Sequence, residues 1–447
     1  MTGEARKDRS AASLYLMPVL AAVAFVVIGM AFSIWWNPVV HHTASWITPG
    51  DVWGTFRDAH LVAWGGEGTL YASNIQPLTG YISLPAMPVV LAPAAALSGA
   101  LHLTESLPLA LARPSAWLLL GPVEMAAGAS VLFPFDAVAR RLGIGSRRRT
   151  ALVWAEAALV WPVVALWGHP EDLIALGLAV YSLIAVQDRR WWRAGILFGV
   201  ALAFQPLVVL LLPLVSTGVP WRRLAPFAGL VVAPAALLLM APLAHAWGTT
   251  LHALVDQPTY PAVNHPTPWL ALSPRLSRST HVRSAGHASI GAVEAASAHA
   301  GPIVAGGPVR LIPVALSLLA ALYVLRRRPA ERDVWFLAAV LLASRCAFEA
   351  VMTPYYAVPA LAVELIVAAA SSPWRLGMAT VCAGVCTYLG YGHAGPWAYY
   401  LPVTGTLMLT VLAGRVRARL WIDRFVRHDA HAPADTDAAP GSQAVVA

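Results

Sequence analysis

Two short polar segments carry the side chains best suited to chemistry, and more than a hundred residues separate them. The first begins with Asp51, after Pro49-Gly50, and Asp58 follows seven residues later, about two helical turns, close to the same helix face. Two roles are open to Asp51, as the N-cap of a helix or as a catalytic carboxylate. Asp58 directly follows Arg57, so a local ion pair is the structural alternative to a catalytic role.

The second segment reads Gly168-His169-Pro170-Glu171-Asp172 and forms a tight corner before an apolar run. Pro170 suits the first turn of a helix, and Glu171 and Asp172 complement the positive end of the helix dipole. Two acids and a histidine at a membrane boundary are costly unless they are paired or hydrated. The segment therefore predicts the start of a helix. A functional site at the same corner is the second role open to these residues.

A third group lies near the end of a later apolar run, where Arg345 precedes Glu349 by one helical turn and Tyr355 follows. Arg345 and Glu349 have the i,i+4 spacing of an ion pair within one helix. The alternative is that Arg345 binds an anion, because a planar guanidinium matches carboxylate and phosphate groups.

Aromatic and imidazole side chains concentrate in two long loops, residues 37–80 and residues 246–308. Trp53 lies in the first loop, and His265 and Trp269 lie in the second. Loops of this length usually carry function, and these groups can donate hydrogen bonds and stack. The structural alternative for tryptophan and tyrosine is the aromatic belt at the membrane surface.

The elements that must position these residues are membrane helices. Hydrophobic residues make up 58% of the 447 residues and charged residues 12%, too little charge to cover a soluble protein. Apolar runs of about 17 to 22 residues recur, each long enough to cross a hydrocarbon core of ~30 Å. The first run, residues 14–36, is too long for a signal peptide and predicts a retained helix. The sequence predicts an all-α polytopic membrane protein with about 11–14 spans.

Arginines set the expected topology. The formal net charge is +8, but these arginines lie in short loops between apolar runs, which excludes a nucleic-acid binder. The clusters that mark cytoplasmic segments are Arg6 to Arg9, Arg140 to Arg149, Arg189 to Arg193, Arg222 and Arg223, Arg326 to Arg328, Arg375, and Arg415 to Arg427. Both termini are therefore expected in the cytoplasm of a bacterial inner membrane, with residues 37–80 and 246–308 outside. We expect one transmembrane domain over residues 1–429 and a disordered tail over residues 430–447.

Three segments need more than a span count. Residues 81–140 hold either one crossing with a re-entrant segment or three short crossings. Residues 194–220 start and end on the cytoplasmic side, and Gln205-Pro206 at their centre predicts two short helices in a hairpin. Residues 51–63 place apolar side chains on one face and predict an amphipathic helix lying along the membrane.

Ionisable groups within the predicted spans are few. The glutamates among them are Glu124, Glu156 and Glu364. We expect each to be protonated or hydrogen-bonded between helices, and they are the feature most typical of a transporter. The cysteines are Cys346, Cys382 and Cys386. They have no second motif nearby, so they are expected in the core, and no metal site is predicted, although metal dependence stays open.

Two blocks of the sequence carry a family resemblance. The first reads Gly50-Asp51-x4-Phe56-x2-Ala59, followed by Gly65-Gly66-x-Gly68-x-Leu70-Tyr71. The second runs from Asp172 to Pro213 and includes Ala194-Gly195-x3-Gly199-x-Ala201. Over about residues 45 to 225 the chain resembles the GT-C superfamily, specifically the actinobacterial polyprenyl-phosphate-mannose-dependent mannosyltransferases. Gln205 and the acidic corner at residues 168–172 depart from that pattern.

The resemblance implies a GT-C-like bundle with membrane-parallel helices in the first outer loop and an extracytoplasmic active site. It implies inverting transfer of a sugar, mannose in that family, from a polyprenyl-phosphate donor to a glycolipid or glycan acceptor of the cell envelope, without a cofactor. Asp51 would be the general base, with Asp58 as its rival. The residues expected to bind donor phosphate and sugar are His169, Glu171, Asp172, His265, Arg345, Trp53, Trp269 and Tyr355. The competing function is a transporter or flippase of lipid-linked sugars, which should place its polar groups near the bilayer midplane.

Overall fold

The computed structural model describes most of the chain between residues 4 and 413. The described residues are 4–40, 49, 51–71, 84–103, 115–256, 259, 261, 264–276, 303–392 and 395–413. The described residues belong to one compact unit, Met1–Gly414. The predicted tail, residues 430–447, lies outside the described residues, as do parts of both predicted outer loops.

The described residues are mostly α-helical. In chain order the α-helices are α1 Glu4–Val40, α2 Val52–Ala63, α3 Ala86–Ala100, α4 Trp117–Ala129, α5 Leu132–Arg141, α6 Ser146–Ala165, α7 Pro170–Gln187, α8 Trp191–Phe204, α9 Leu212–Ser216, α10 Leu224–His245, α11 Trp247–Asp256, α12 Leu311–Arg327, α13 Glu331–Ala347, α14 Val358–Ser371, α15 Pro373–Gly390 and α16 Pro396–Ala413. Short 3₁₀ helices cover Glu67–Thr69, Pro206–Leu211, Trp221–Arg223, Pro268–Leu272, Pro308–Arg310 and Pro354–Ala357.

Six helical segments within the described ranges are long and apolar enough to cross a membrane. They are Tyr15–Trp35, Trp117–Arg141, Pro170–Gln187, Trp221–His245, Pro308–Arg327 and Pro354–Ser371. By the length and composition of its helices, the chain is an all-α, multi-pass membrane protein. The expected first span, residues 14–36, is confirmed as a helix, whereas the total of 11–14 spans stays a prediction.

Two of the segments left open by the sequence take clear paths. Among the described residues between 81 and 140, one helical segment, Trp117–Arg141, is long and apolar enough to cross a membrane, and the short helix α3 before it packs on α2. The hairpin predicted for residues 194–220 is confirmed. Helix α8 ends at Phe204, Gln205 adopts an extended conformation, and a 3₁₀ helix begins at Pro206 because proline cannot donate to the preceding turn.

The spacing of Gly195 and Gly199, quoted from the second sequence block, has a packing role. A Cβ atom at Gly199 would lie 2.6 Å from the Leu230 carbonyl oxygen and 2.7 Å from that of Val231. A Cβ at Gly195 would lie 2.9 Å from Leu230 Cβ. These glycines therefore let α8 and α10 approach closely, as small residues do between membrane helices.

Burial separates inner helices from lipid-facing ones. Within their apolar windows, Pro354–Ser371 is 83% buried and Pro170–Gln187 is 67% buried, whereas Trp221–His245 is 11% buried. Helices α7 and α14 therefore form the centre of the bundle, and α10 presents most of its surface to lipid. The first residues of these two central helices carry the predicted site.

The described residues include four two-residue strands, three of them in the second predicted outer loop. They are β1 His265–Pro266, β2 Arg275–Leu276, β3 Ile303–Val304 and β4 Val351–Met352. Strand β1 pairs antiparallel with β4, and β2 pairs antiparallel with β3. The first pair fixes the loop against the segment that follows α13.

Candidate functional site

The imidazole of His169 lies between two carboxylates. Its Nε2 is 2.9 Å from Asp51 Oδ2, and its Nδ1 is 2.7 Å from Glu171 Oε1. The side chain of His169 is 6% exposed and that of Asp51 is 40% exposed. Folding thus brings together residues from both polar segments. The partly exposed carboxylate of Asp51 lies on one side of the imidazole ring, and the buried carboxylate of Glu171 lies on the other.

Asp51 occupies the N-cap position of α2 but does not cap it. Its side chain makes no capping hydrogen bond to the first turn of that helix. Its carboxylate binds His169 instead. Asp51 therefore does not act as a simple side-chain N-cap, the alternative role considered for it.

A glycine allows the start of α2 to sit against the corner. Gly168 has a φ of +75°, in the left-handed region that residues with a Cβ atom rarely adopt. A Cβ at this position would lie 2.5 Å from Val52 Cγ2 and 2.8 Å from Pro49 Cβ. Gly168 is thus required twice, for its backbone conformation and for the close approach that delivers Asp51 to His169.

The start of α7 confirms the predicted helix start. Pro170 is the first helical residue, and Glu171 and Asp172 lie in the first turn, where they complement the helix dipole. Both acids are buried. Gln205 donates from Nε2 to Asp172 Oδ1 at 2.5 Å, so the break between α8 and the following 3₁₀ helix also serves this corner. Glu171 and Asp172 therefore stabilise the start of α7 and also belong to a group of interacting polar side chains.

Tyr355 covers the imidazole. Its ring stacks on that of His169 with centroids 4.5 Å apart and an interplanar angle of 29°. Trp167 packs against Tyr355 at 5.5 Å and donates from Nε1 to the hydroxyl of Tyr391 at 3.2 Å. We call Asp51, His169, Glu171, Asp172 and Tyr355 the corner cluster.

Arg345 lies beside the corner cluster. Its guanidinium carbon is 4.0 Å from the centroid of the Tyr356 ring, and its Nε is 3.6 Å from Glu349 Oε2, which confirms the i,i+4 pair. Arg310 binds the same carboxylate from Nε at 2.7 Å. Arg345 is also close enough to Asp172 for the two charges to interact. A guanidinium is therefore available at the edge of the cluster.

Asp58 occupies a different environment from Asp51. It is buried and pairs with Arg57 at 3.3 Å, so the predicted local ion pair is confirmed. Burial raises the pKa of the Tyr71 hydroxyl, and the nearby charge of Asp58 raises it further. Seven residues of helix set Asp58 about 10 Å along α2 from Asp51.

His265 and Trp269 contact the helical bundle and so fix the second long loop against it. The ring of His265 is buried and stacks on Tyr399 with centroids 4.0 Å apart. Trp269 donates from Nε1 to the Ala347 carbonyl oxygen at 2.7 Å, at the end of α13, and packs against Phe348. Their expected contact with a sugar or phosphate stays a prediction. The side chain of Trp53 lies outside the described residues.

Sequence reasoning missed several contributors. Gly168, Gln205 and Tyr391 all contact or position the corner cluster or its neighbours. Signals existed for two of them, because a glycine within an aromatic-acidic corner and a polar residue before a mid-hairpin proline are both unusual. Tyr391 follows an ordinary apolar helix, and nothing in the sequence marks it.

The charges around His169 decide its protonation. Burial lowers the pKa of the imidazole, but the charge of Glu171 and hydrogen bonds to Asp51 and Glu171 act in the opposite direction and hold the pKa well above its usual value. Glu124 and Asp172 also interact electrostatically with the ring. These interactions favour the imidazolium form of His169 at neutral pH.

Replacing Gly168 with alanine should destabilise the protein. The left-handed backbone costs about 1–2 kcal/mol, and overpacking against Val52 costs about 1–3 kcal/mol more. Gly143→Ala is the matched control, because Gly143 has a φ of +70° but open space around its Cβ position. Thermal unfolding in detergent should show a larger loss for Gly168→Ala than for Gly143→Ala. Equal losses of thermal stability in the two variants would show that Val52 can move away from an added Cβ atom at little cost.

His169 should stabilise the protein in a pH-dependent way. Because its folded pKa is raised, its contribution is fully present below the unfolded value of about 6.5 and is lost as pH rises through the folded pKa. The gap in unfolding midpoint between wild type and His169→Gln should therefore shrink above neutral pH. His245→Gln, at an exposed position outside the corner cluster, is the control for the substitution itself. A His169→Gln gap that stays constant or widens with rising pH would contradict the imidazolium assignment.

Within the described ranges, no three histidine, cysteine, aspartate or glutamate side chains converge as they would around a metal ion. No family model and no curated protein matches the chain. The function therefore has to be inferred from the geometry of the corner cluster.

Proposed function

We propose that the chain is an integral-membrane glycosyltransferase with a GT-C-like bundle of 11–14 spans. It would move a sugar, mannose by the resemblance, from a polyprenyl-phosphate donor to a glycolipid or glycan acceptor of the cell envelope. The observation that supports this most directly is the partly exposed carboxylate of Asp51, held by the buried His169–Glu171 pair.

Asp51 has the properties required of a general base. Its side chain is 40% exposed, so an acceptor hydroxyl can reach it, and its Oδ2 is fixed by His169. A base must lie within hydrogen-bond reach of the proton that it removes and must keep one orientation while doing so. Glu171, on the far side of the ring, fixes the imidazole in turn.

The proposed reaction is a single displacement. Asp51 takes the proton of the acceptor hydroxyl as that oxygen forms a bond to the anomeric carbon of the donor sugar. The bond between this carbon and the phosphate oxygen breaks, and polyprenyl phosphate leaves with the electron pair. Attack from the opposite side inverts the anomeric configuration.

The leaving phosphate needs a cation. Arg345 is the best candidate, because its 3.6 Å separation from Glu349 is longer than a hydrogen bond. Its guanidinium can therefore bind phosphate oxygens without breaking a tight internal pair. His169 is the second candidate and would act through its charge alone, because both of its ring nitrogens are bonded to Asp51 and Glu171. His265 is the third candidate.

The sidedness of the charges supports an enzyme working on lipid-linked sugars. The corner cluster lies at the start of α7 and in the 3₁₀ helix just before α14, and the arginines that mark cytoplasmic segments follow the other ends of these two helices. With both termini in the cytoplasm of the inner membrane, the cluster faces outward, where the head group of a polyprenyl-phosphate sugar is available.

A transporter or flippase of lipid-linked sugars is the second candidate. Glu124, Glu156 and Glu364 are almost completely buried within the helices. Glu124 interacts electrostatically with Glu171 and His169, which extends the set of ionisable groups from the corner into the bundle. Buried acids of this kind are typical of transport pathways.

Asp51→Asn should reduce sugar transfer by about 10²–10⁴-fold, the usual contribution of a general base. The measurement is transfer from a radiolabelled polyprenyl-phosphate sugar by detergent-purified protein. Asp58→Asn is the matched control and should keep transfer near the wild-type rate. Full activity in Asp51→Asn would reject this assignment, and loss confined to Asp58→Asn, in protein that still unfolds cooperatively, would move the base there.

The two candidate functions predict different results for Glu124→Gln. An enzyme whose chemistry is at Asp51 should retain transfer within about threefold, because glutamine keeps the shape of the buried side chain. A flippase should instead move a lipid-linked sugar across proteoliposomes without any acceptor, and Glu124→Gln should abolish that movement. Acceptor-independent movement by wild type with no transfer activity would overturn the enzyme proposal.

A further inference from the structure

A cavity of about 780 Å³ opens where the first turns of α6 and α15 meet. Its rim is basic, with Arg147 and Arg148 from α6. Below the rim the wall is formed by small and apolar residues, Ala151, Ala155, Leu376 and Gly377. The cavity therefore combines a cationic opening with an apolar groove that continues along α6 and α15.

The rim offers donors that the fold does not use. Gly145 precedes α6 and provides no side-chain cap, and the first amide in the helix bonded to a preceding carbonyl is that of Arg149, which bonds Gly145 at 2.9 Å. The amides of Ser146, Arg147 and Arg148 come before it, at the positive end of a 20-residue helix. Arg148 donates from Nη1 to the Ala369 carbonyl oxygen at 2.8 Å, which fixes its guanidinium at the rim.

The position of the groove along the helices is also informative. From Arg148 to Ala155 the wall extends about 10 Å along α6. The whole of α6 is about 30 Å long, the thickness of a hydrocarbon core, and it ends at Ala165, just before the corner cluster. The cavity and the corner cluster thus lie at opposite ends of α6. Trp374, 71% exposed at the start of α15, has the position of an interfacial tryptophan.

We propose that this groove binds one acidic phospholipid, with its phosphate at Arg147 and the first turn of α6 and an acyl chain against Ala151, Ala155 and Gly377. A soluble phosphate would need only the basic rim, whereas a lipid uses the rim and the apolar wall together. The rim charges complement an anionic head group and give no advantage to a zwitterionic one. This site is separate from the proposed donor site and does not depend on the proposed function.

The test compares lipid retention by the full-length, detergent-purified protein in native mass spectrometry. The lipids are phosphatidylglycerol, which is acidic, and phosphatidylethanolamine, which is zwitterionic. Arg147→Gln removes rim charge, and Gly377→Leu fills the groove. A Cβ at Gly377 meets no neighbouring atom, and leucine favours the helix more than glycine does, so the second variant should fold. Arg222→Gln, at an exposed arginine outside the groove, is the matched control.

Wild type should retain one phosphatidylglycerol in preference to phosphatidylethanolamine. Arg147→Gln should weaken this retention about fivefold, the effect expected of one basic residue near an anionic lipid surface, and Arg222→Gln should not. Gly377→Leu should reduce retention to the level of phosphatidylethanolamine. Unchanged retention in Gly377→Leu would overturn the proposal, since it would leave only an anion site that inorganic phosphate could compete for. Equal losses in Arg147→Gln and Arg222→Gln would also overturn it, by showing general surface charge.

Discussion

The contact on which the site depends is a buried imidazole shared by two acids. A carboxylate at a membrane boundary is stable only if it is paired or hydrated, and His169 pairs with Glu171 on its buried side and with Asp51 on its exposed side. Three neighbouring residues position the groups of this pairing. Gly168 admits the start of α2, Pro170 begins the helix that carries Glu171, and Tyr355 covers the ring.

Charge is paired at both ends of the bundle, but in different ways. At the corner, one imidazole binds two carboxylates. At the opposite end, Asp136 lies 2.7 Å from Arg140 and 2.8 Å from Arg149, so one carboxylate binds two guanidiniums. Acidic side chains therefore outnumber their basic partner at the corner, and basic side chains outnumber their acidic partner at the other end.

The sequence was informative wherever structure depends on near neighbours. The amphipathic helix after Asp51, the helix start at Pro170, the break at Gln205-Pro206 and the pair between Arg345 and Glu349 were all predictable, because spacing and proline chemistry act within a few residues. The pairing of Asp51 with His169 spans 118 positions, and only tertiary packing creates it. For the same reason helical spacing made Asp58 look equivalent to Asp51, although the corner meets only the first turn of α2. The stacking of Tyr355 on His169 and of His265 on Tyr399 was likewise beyond any local pattern.

The deep burial of α14 has a consequence for biogenesis. This helix, at the centre of the bundle, lies near the C-terminal end of the chain and leaves the ribosome after most of the helices that surround it. The segment that carries Tyr355 is therefore synthesised after α2 and α7, so the stack of Tyr355 on His169 forms after the pairing partners Asp51, His169 and Glu171 have been made. Completion of the polar corner thus requires synthesis of the chain through Tyr355.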